Sequence, residues 1–148
     1  MTSRSMRVLV TLTMTLGLAT TAAIAAPLAD TPDNRDKVVA GVTKMFSTRG
    51  ITSDRIQQTG LCQVTVDGKL VFDFTQLHGL VELGLTSQFG NGKHVAVTGN
   101  TANGGNAPFV CVLGGSQCDT KIEADDVSSS GYATMSAGVE MIKQVCNP

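Results

Sequence analysis

Past residue 30 the chain's apolar positions first follow a helical rhythm. Val38, Val39, Val42, Met45 and Phe46 recur at helical spacing. Thr31-Pro32-Asp33 precedes them, giving an N-cap residue, a proline at the first helical position and an acid in the first turn, and Gly50 supplies a stop. This pattern predicts a helix over 32–48. From Leu61 the period changes to two: Cys62, Val64 and Val66 alternate with Gln63 and Thr65, and beyond Asp67-Gly68 the residues Leu70, Phe72 and Phe74 alternate with Val71 and Asp73. Asp-Gly between two alternating runs predicts a hairpin over 61–74, because a tight hairpin turn needs positive φ at both central residues.

Leu77, Leu80, Val81, Leu85 and Phe89 then share one helical face between Thr75 and Gly90. They predict a second helix, in which Gly79 and Gly84 either allow close packing on a sheet or break the helix. His94 to Thr98 and Phe109 to Leu113 are two more β runs, joined by a long loop from Gly99 to Pro108 that is rich in Gly and Asn. A turn at Gly114-Gly115-Ser116 leads to Cys118 and the acidic stretch Glu123, Asp125 and Asp126. Tyr132, Met135, Val139, Ile142 and Cys146 recur at helical spacing and predict a closing helix over about 130–145. The order helix, hairpin, helix, two strands, helix reads as one α+β domain. A small antiparallel sheet of about four strands is covered by two to three helices and tied by two disulfides.

The start of the chain has a different pattern. Arg4 and Arg7 precede an uncharged apolar run from Val8 to Ala25 that ends in Ala23-Ile24-Ala25, the form of a secretory signal peptide with its cleavage site. Five threonines dilute the run and no basic cluster follows it, which separates it from a membrane anchor. Removing residues 1–25 leaves the 123 residues 26–148 as a single secreted domain and takes the formal net charge from −1 to −3. No later stretch approaches spanning length, so no integral membrane anchor is expected. With 42% hydrophobic and 16% charged residues and no cationic run, the chain is too apolar for a disordered tail and offers no footprint for nucleic acid.

All four cysteines, Cys62, Cys111, Cys118 and Cys146, fall in the secreted part. An even number in an oxidising compartment implies two disulfides. Without a Cys-x-x-Cys pair, or a histidine near a cysteine, the spacing does not describe a zinc site, and no cofactor is expected. Of the three possible pairings, Cys62–Cys111 with Cys118–Cys146 is favoured, since each bridge then ties a strand or loop to an element its own segment must pack against.

Candidate chemistry is sparse. His78 and Glu82, four apart on the expected second helix, and His94 at the head of a strand are the acid/base residues an enzyme would draw on. No Gly-x-Ser-x-Gly elbow presents Ser47, Ser53 or Ser87 as a nucleophile. Gly90-Asn91-Gly92-Lys93 lacks the first glycine and the Ser/Thr of a phosphate loop. No tryptophan is available for sugar stacking. No catalytic centre is therefore expected. The remaining candidate is the loop 99–108, with Asn100, Asn103, Asn106 and Pro108 as contact residues, because loops on a disulfide-tied scaffold are where binding residues concentrate.

Gly60-Leu61-Cys62-Gln63-Val64-Thr65-Val66, the following segment, then Phe89-Gly90-Asn91-Gly92-Lys93-His94-Val95-Ala96-Val97-Thr98-Gly99 and the strand cysteine Cys111 resemble the necrosis-inducing-factor domain of fungal secreted effectors, itself similar to killer toxins with an α/β-sandwich fold. The family's upstream cysteines and tryptophan are missing here, and the Cys118 to Cys146 segment is additional. The resemblance, over about residues 60–111, implies a Cys62–Cys111 bridge and a non-enzymatic secreted protein acting on another organism. The leading expectation is accordingly a small secreted effector or toxin-like protein that binds an extracellular, host or competitor target. The alternatives are a small secreted hydrolase or nuclease using His78, Glu82 and His94, and a protease inhibitor presenting an exposed loop.

Overall fold

In the computed structural model, which describes residues 26–85, 92–100 and 105–148, the first helix begins where its capping residues place it. Helix α1 runs Pro32–Met45, and Thr31 Oγ1 accepts a hydrogen bond from the Asn34 backbone N–H at 3.3 Å. Helix α2 runs Ser129–Cys146, with Ser128 Oγ accepting from the Gly131 N–H at 3.1 Å. Both N-caps satisfy backbone donors that the first turn leaves unpaired. The buried stripes Val38, Val42 and Met45 on α1 and Met135, Val139, Ile142 and Val145 on α2 turn the helices toward one core. The helices approach closely at two glycines. A Cβ on Gly138 would sit 2.5 Å from the Gly41 carbonyl oxygen and 2.6 Å from the Met45 nitrogen, and one on Gly41 would sit 2.7 Å from Ile142 Cγ1.

Eight strands are present among the described residues: β1 (Ile56–Gln58), β2 (Gln63–Val66), β3 (Leu70–Asp73), β4 (Leu77–Leu85), β5 (Lys93–Gly99), β6 (Val110–Val112), β7 (Cys118–Asp119) and β8 (Lys121–Val127). They form two antiparallel sheets, one of order β1-β2-β3-β6-β7 and one of order β4-β5-β8. The β2–β3 hairpin turns at Asp67 (φ 55°) and Gly68 (φ 60°), the two positive φ values that the Asp-Gly pair foretells. The chain passes from one sheet to the other at Thr120, between β7 and β8: Phe109 N–H bonds Asp119 O (3.0 Å) on the larger-sheet side, and Gly99 N–H bonds Thr120 O (2.8 Å) and Asn100 N–H bonds Gln76 O (2.7 Å) on the smaller-sheet side.

On the larger sheet, cross-strand register places Val66, Val64, Phe72 and Val110 on the inner face against the helices. The row Gln57, Thr65, Val71, Cys111, Cys118 crosses all five strands on the outer face. Phe72 is the centre of the core, with ring centroids of Phe46, Phe74 and Phe109 at 5.4, 5.5 and 6.1 Å, separations at which aromatic pairs attract beyond simple burial.

The α+β class, the antiparallel pairing, the first and closing helices with the Thr31 cap of the first, and the presence of two disulfides all agree with the sequence reading. The expected second helix is instead strand β4. Its register against β5 shifts between Leu77 and Gly79 and again between Glu82 and Gly84, where Gly84 has φ 145°. Each irregularity inserts a residue out of alternation, so the apolar positions fall at spacings that imitate a helical face. Phe89, at the end of that proposed face, and the leader 1–25 lie outside the described residues.

The cysteine pairing is also corrected. Cys62 bonds Cys146 (Cα–Cα 5.6 Å) and Cys111 bonds Cys118 (Cα–Cα 4.1 Å). Cys111 and Cys118 face each other directly in the β6–β7 register, on the outer side of the sheet. Cys146 is buried at the end of α2, where Asn147 Nδ2 donates to the Leu77 carbonyl. A Cys118–Cys146 bridge would have to pass through the sheet, and the Cys62–Cys111 bridge implied by the resemblance is not formed.

Candidate functional site

The acid/base residues singled out from sequence do not converge. His78 is exposed near the start of β4, where Leu77 pairs with Gly99, whereas His94 pairs with Gly84 near the other end of the same ladder. Glu82 lies across from Val95, so it projects from the face opposite His94, and its Oε2 accepts from Lys93 Nζ at 2.6 Å. That ammonium also sits 5.0 Å above the Tyr132 ring, so a helix α2 aromatic and a β4 carboxylate share one cation.

His94 finds its partners on β8, an element that the acidic composition of 121–127 concealed. Its Nε2 is 3.2 Å from Glu123 Oε2 and 3.7 Å from Asp125 Oδ1. Lys121 Nζ donates to the other oxygen of Glu123, and an Arg49 guanidinium nitrogen donates to the Glu123 carbonyl at 2.7 Å. The hydrogen bond from Lys121, followed by that from His94, holds the Glu123 carboxyl below its ordinary value of 4.5. Among the described residues the polar partners of His94 are the carboxylates of Glu123 and Asp125, an arrangement that fixes an imidazole in place. Among the described residues no group of three or more His, Cys, Asp or Glu is placed to hold a metal ion.

Beside this cluster, between residues 47–49 and β8, lies a shallow cleft of about 260 Å³ with its open mouth included. Met45, Phe46, Val97 and Met135 form its apolar floor, and Thr48 and Arg49 stand at its rim.

The loop 99–108 is fixed at both roots. Asn100 is anchored through its N–H to Gln76, Ala107 is buried with its carbonyl packed against Gly99, and Asn106 and Pro108 are exposed. Asn103 lies outside the described residues. A second presented segment, which the sequence reading took for a plain turn, is the β6–β7 tip. The Cys111–Cys118 bridge closes it, and the Leu113 N–H ties it to the neighbouring β2–β3 turn through the Lys69 carbonyl at 2.7 Å. Val112 and Leu113 remain 50% and 55% exposed there. The sequence signal for it is two cysteines seven residues apart around Gly114-Gly115, a spacing that lets them meet across a hairpin.

Compared with protein-family models, curated proteins and solved structures, the chain matches none.

Proposed function

We propose that the chain is a small secreted, disulfide-bridged protein of effector or toxin-like kind, which acts by binding an extracellular, host or competitor target rather than by catalysis. The observation that carries this reading is the β6–β7 tip. Two adjacent large apolar side chains stand exposed on a hairpin whose ends are joined covalently and whose backbone is bonded to a second turn. A contact surface held this way loses little conformational entropy on association. The anchored loop with Asn100, Asn106 and Pro108 supplies a second, polar contact candidate. Secretion is supported by the leader pattern at 1–25 and by two disulfides in the part that follows it. None of the helices among the described residues is long and apolar enough to cross a membrane.

Separation of His78, Glu82 and His94 supports the non-catalytic side of the proposal. The hydrolase alternative is narrowed to His94 with the carboxylates of Glu123 and Asp125, its partners among the described residues. The test uses purified secreted protein, assayed for saturable binding to extracellular fractions of candidate host and competitor cells and, in parallel, against a panel of hydrolase substrates. Val112→Ser with Leu113→Ser is expected to weaken binding at least tenfold with an unchanged melting temperature, while His78→Ala, Glu82→Ala and His94→Ala leave it intact. Turnover of any substrate that His94→Ala abolishes would overturn the proposal.

A further inference from the structure

The two disulfides differ in what can reach them. Cys62 and Cys146 are 5% and 0% exposed inside the core, whereas Cys111 is half-buried and Cys118 exposed on the edge strand β7. Thiol–disulfide exchange requires a thiolate to approach one sulfur from outside, so access decides which bridge reacts. Around Cys118 access is open. Strand β7 ends its sheet, so no further strand flanks it among the described residues, and the preceding Gly114-Gly115-Ser116-Gln117 carries no large apolar side chain.

We propose that the Cys111–Cys118 bridge is a reversible modification site for small extracellular thiols such as glutathione, with Cys118 as the sulfur attacked. The incoming thiolate forms a new S–S bond to Cys118, the Cys111–Cys118 bond breaks, and Cys111 departs with the electron pair as a thiolate. A second thiol then attacks the mixed disulfide at its glutathione sulfur. It releases oxidised glutathione and leaves both cysteines as thiols, so two thiols of the reagent are oxidised for each bridge reduced. Alternatively, the Cys111 thiolate attacks Cys118 and expels the first thiol.

That return is intramolecular and favourable, because the partners stay opposite each other without the bridge. Phe109 N–H to Asp119 O holds the base of the β6–β7 pair, Gly99 N–H to Thr120 O anchors the end of β7 to β5, and Val112 N–H to Gln117 O (3.2 Å) spans the tip itself. Opening therefore loosens the tip that carries Val112 and Leu113 and leaves the core closed by Cys62–Cys146. The exchange goes beyond the binding proposal and does not depend on it, since its test reads sulfur chemistry and no partner.

The experiment treats folded, secreted protein with graded reduced glutathione, quenches it in acid, alkylates free thiols and maps the modified cysteines by mass. The expected result is a glutathione adduct on Cys118, with alkylated Cys111, at concentrations at least tenfold below those that open Cys62–Cys146 and with unchanged far-ultraviolet circular dichroism. The Cys111→Ser, Cys118→Ser double variant separates access from folding: its remaining bridge is expected to resist the same glutathione range. Opening of both bridges together, prior opening of Cys62–Cys146, an adduct confined to Cys111, no adduct at any concentration, or a labile bridge in the double variant would each overturn the assignment.

Discussion

The end of the molecule where α2 meets β2 and the end where β6 turns into β7 are each closed by a disulfide, yet the two bridges do different physical work. Cys62 and Cys146 are separated by 84 residues and Cys111 and Cys118 by seven. Loop-closure entropy then assigns about 4.6 kcal/mol to the first and about 2.4 kcal/mol to the second. The long bridge lies within the cluster formed by both helices and the inner sheet faces. The short one lies outside it and shapes a hairpin whose local register is already set by backbone bonds. One bridge secures the fold, and the other secures a presented segment.

The strongest way to break this comparison is to delete each bridge in turn. Cys62→Ala with Cys146→Ala is expected to lower the melting temperature by about 15–20 °C, or to prevent folding, since the lost entropy term approaches the whole stability of a small domain. Cys111→Ala with Cys118→Ala is expected to cost about half as much. Equal losses measured by calorimetry would remove the distinction.

Next in size is Gly138→Ala. Its new methyl would meet the backbone of α1 from two sides, at distances no side-chain rotation relieves, so the helices must part. A loss of about 3 kcal/mol in denaturant unfolding is expected, with no change in the glutathione reactivity of the distant tip. The same variant unfolding at wild-type denaturant concentration would show that the helices are not in backbone contact.

The smallest effect is electrostatic. The Glu123 carboxyl has its folded-state value depressed by Lys121 and His94. The stabilisation it contributes is therefore complete above 4.5 and is lost as pH falls through the lower folded value. Glu123→Gln is expected to lower the melting temperature slightly above about pH 5 and to converge on the unaltered protein toward about pH 2, which flattens the acid slope; the difference is small because the group is exposed and screened. An acid slope in Glu123→Gln as steep as that of the unaltered protein would contradict the role given to the Lys121 and His94 hydrogen bonds.

What the sequence discloses and what it hides divide along similar lines. Thr31-Pro32, the apolar stripes of both helices and Asp67-Gly68 are local signals, and each sets the geometry of its own segment. Strand β4 was concealed because its two register shifts break the period of two, so Leu77, Leu80, Val81 and Leu85 imitate a helix. Strand β8 was concealed by charge. Ile122 and Ala124 are half-buried while Lys121, Asp125 and Asp126 face solvent, and Asp126 takes a positive φ of 54° at an irregularity in the ladder. The candidate site suffered most, since His94 meets Glu123 only once β5 and β8 are paired. The cysteine pairing depended on knowing that 111–118 is a hairpin and that α2 ends beside β2, neither of which is written in spacing alone.

Connectivity is where the account is most directly exposed, and a tryptic map of the unreduced protein reads it in one step. Cleavage at lysine and arginine leaves Cys111 and Cys118 together on the peptide His94–Lys121, with Cys62 on Ile56–Lys69 and Cys146 on Gln144–Pro148. The structure predicts that His94–Lys121 appears alone, two hydrogens lighter than its dithiol form, and that Ile56–Lys69 is joined to Gln144–Pro148. Finding His94–Lys121 cross-linked to either of the other two peptides would contradict the separation of a core bridge from a tip bridge.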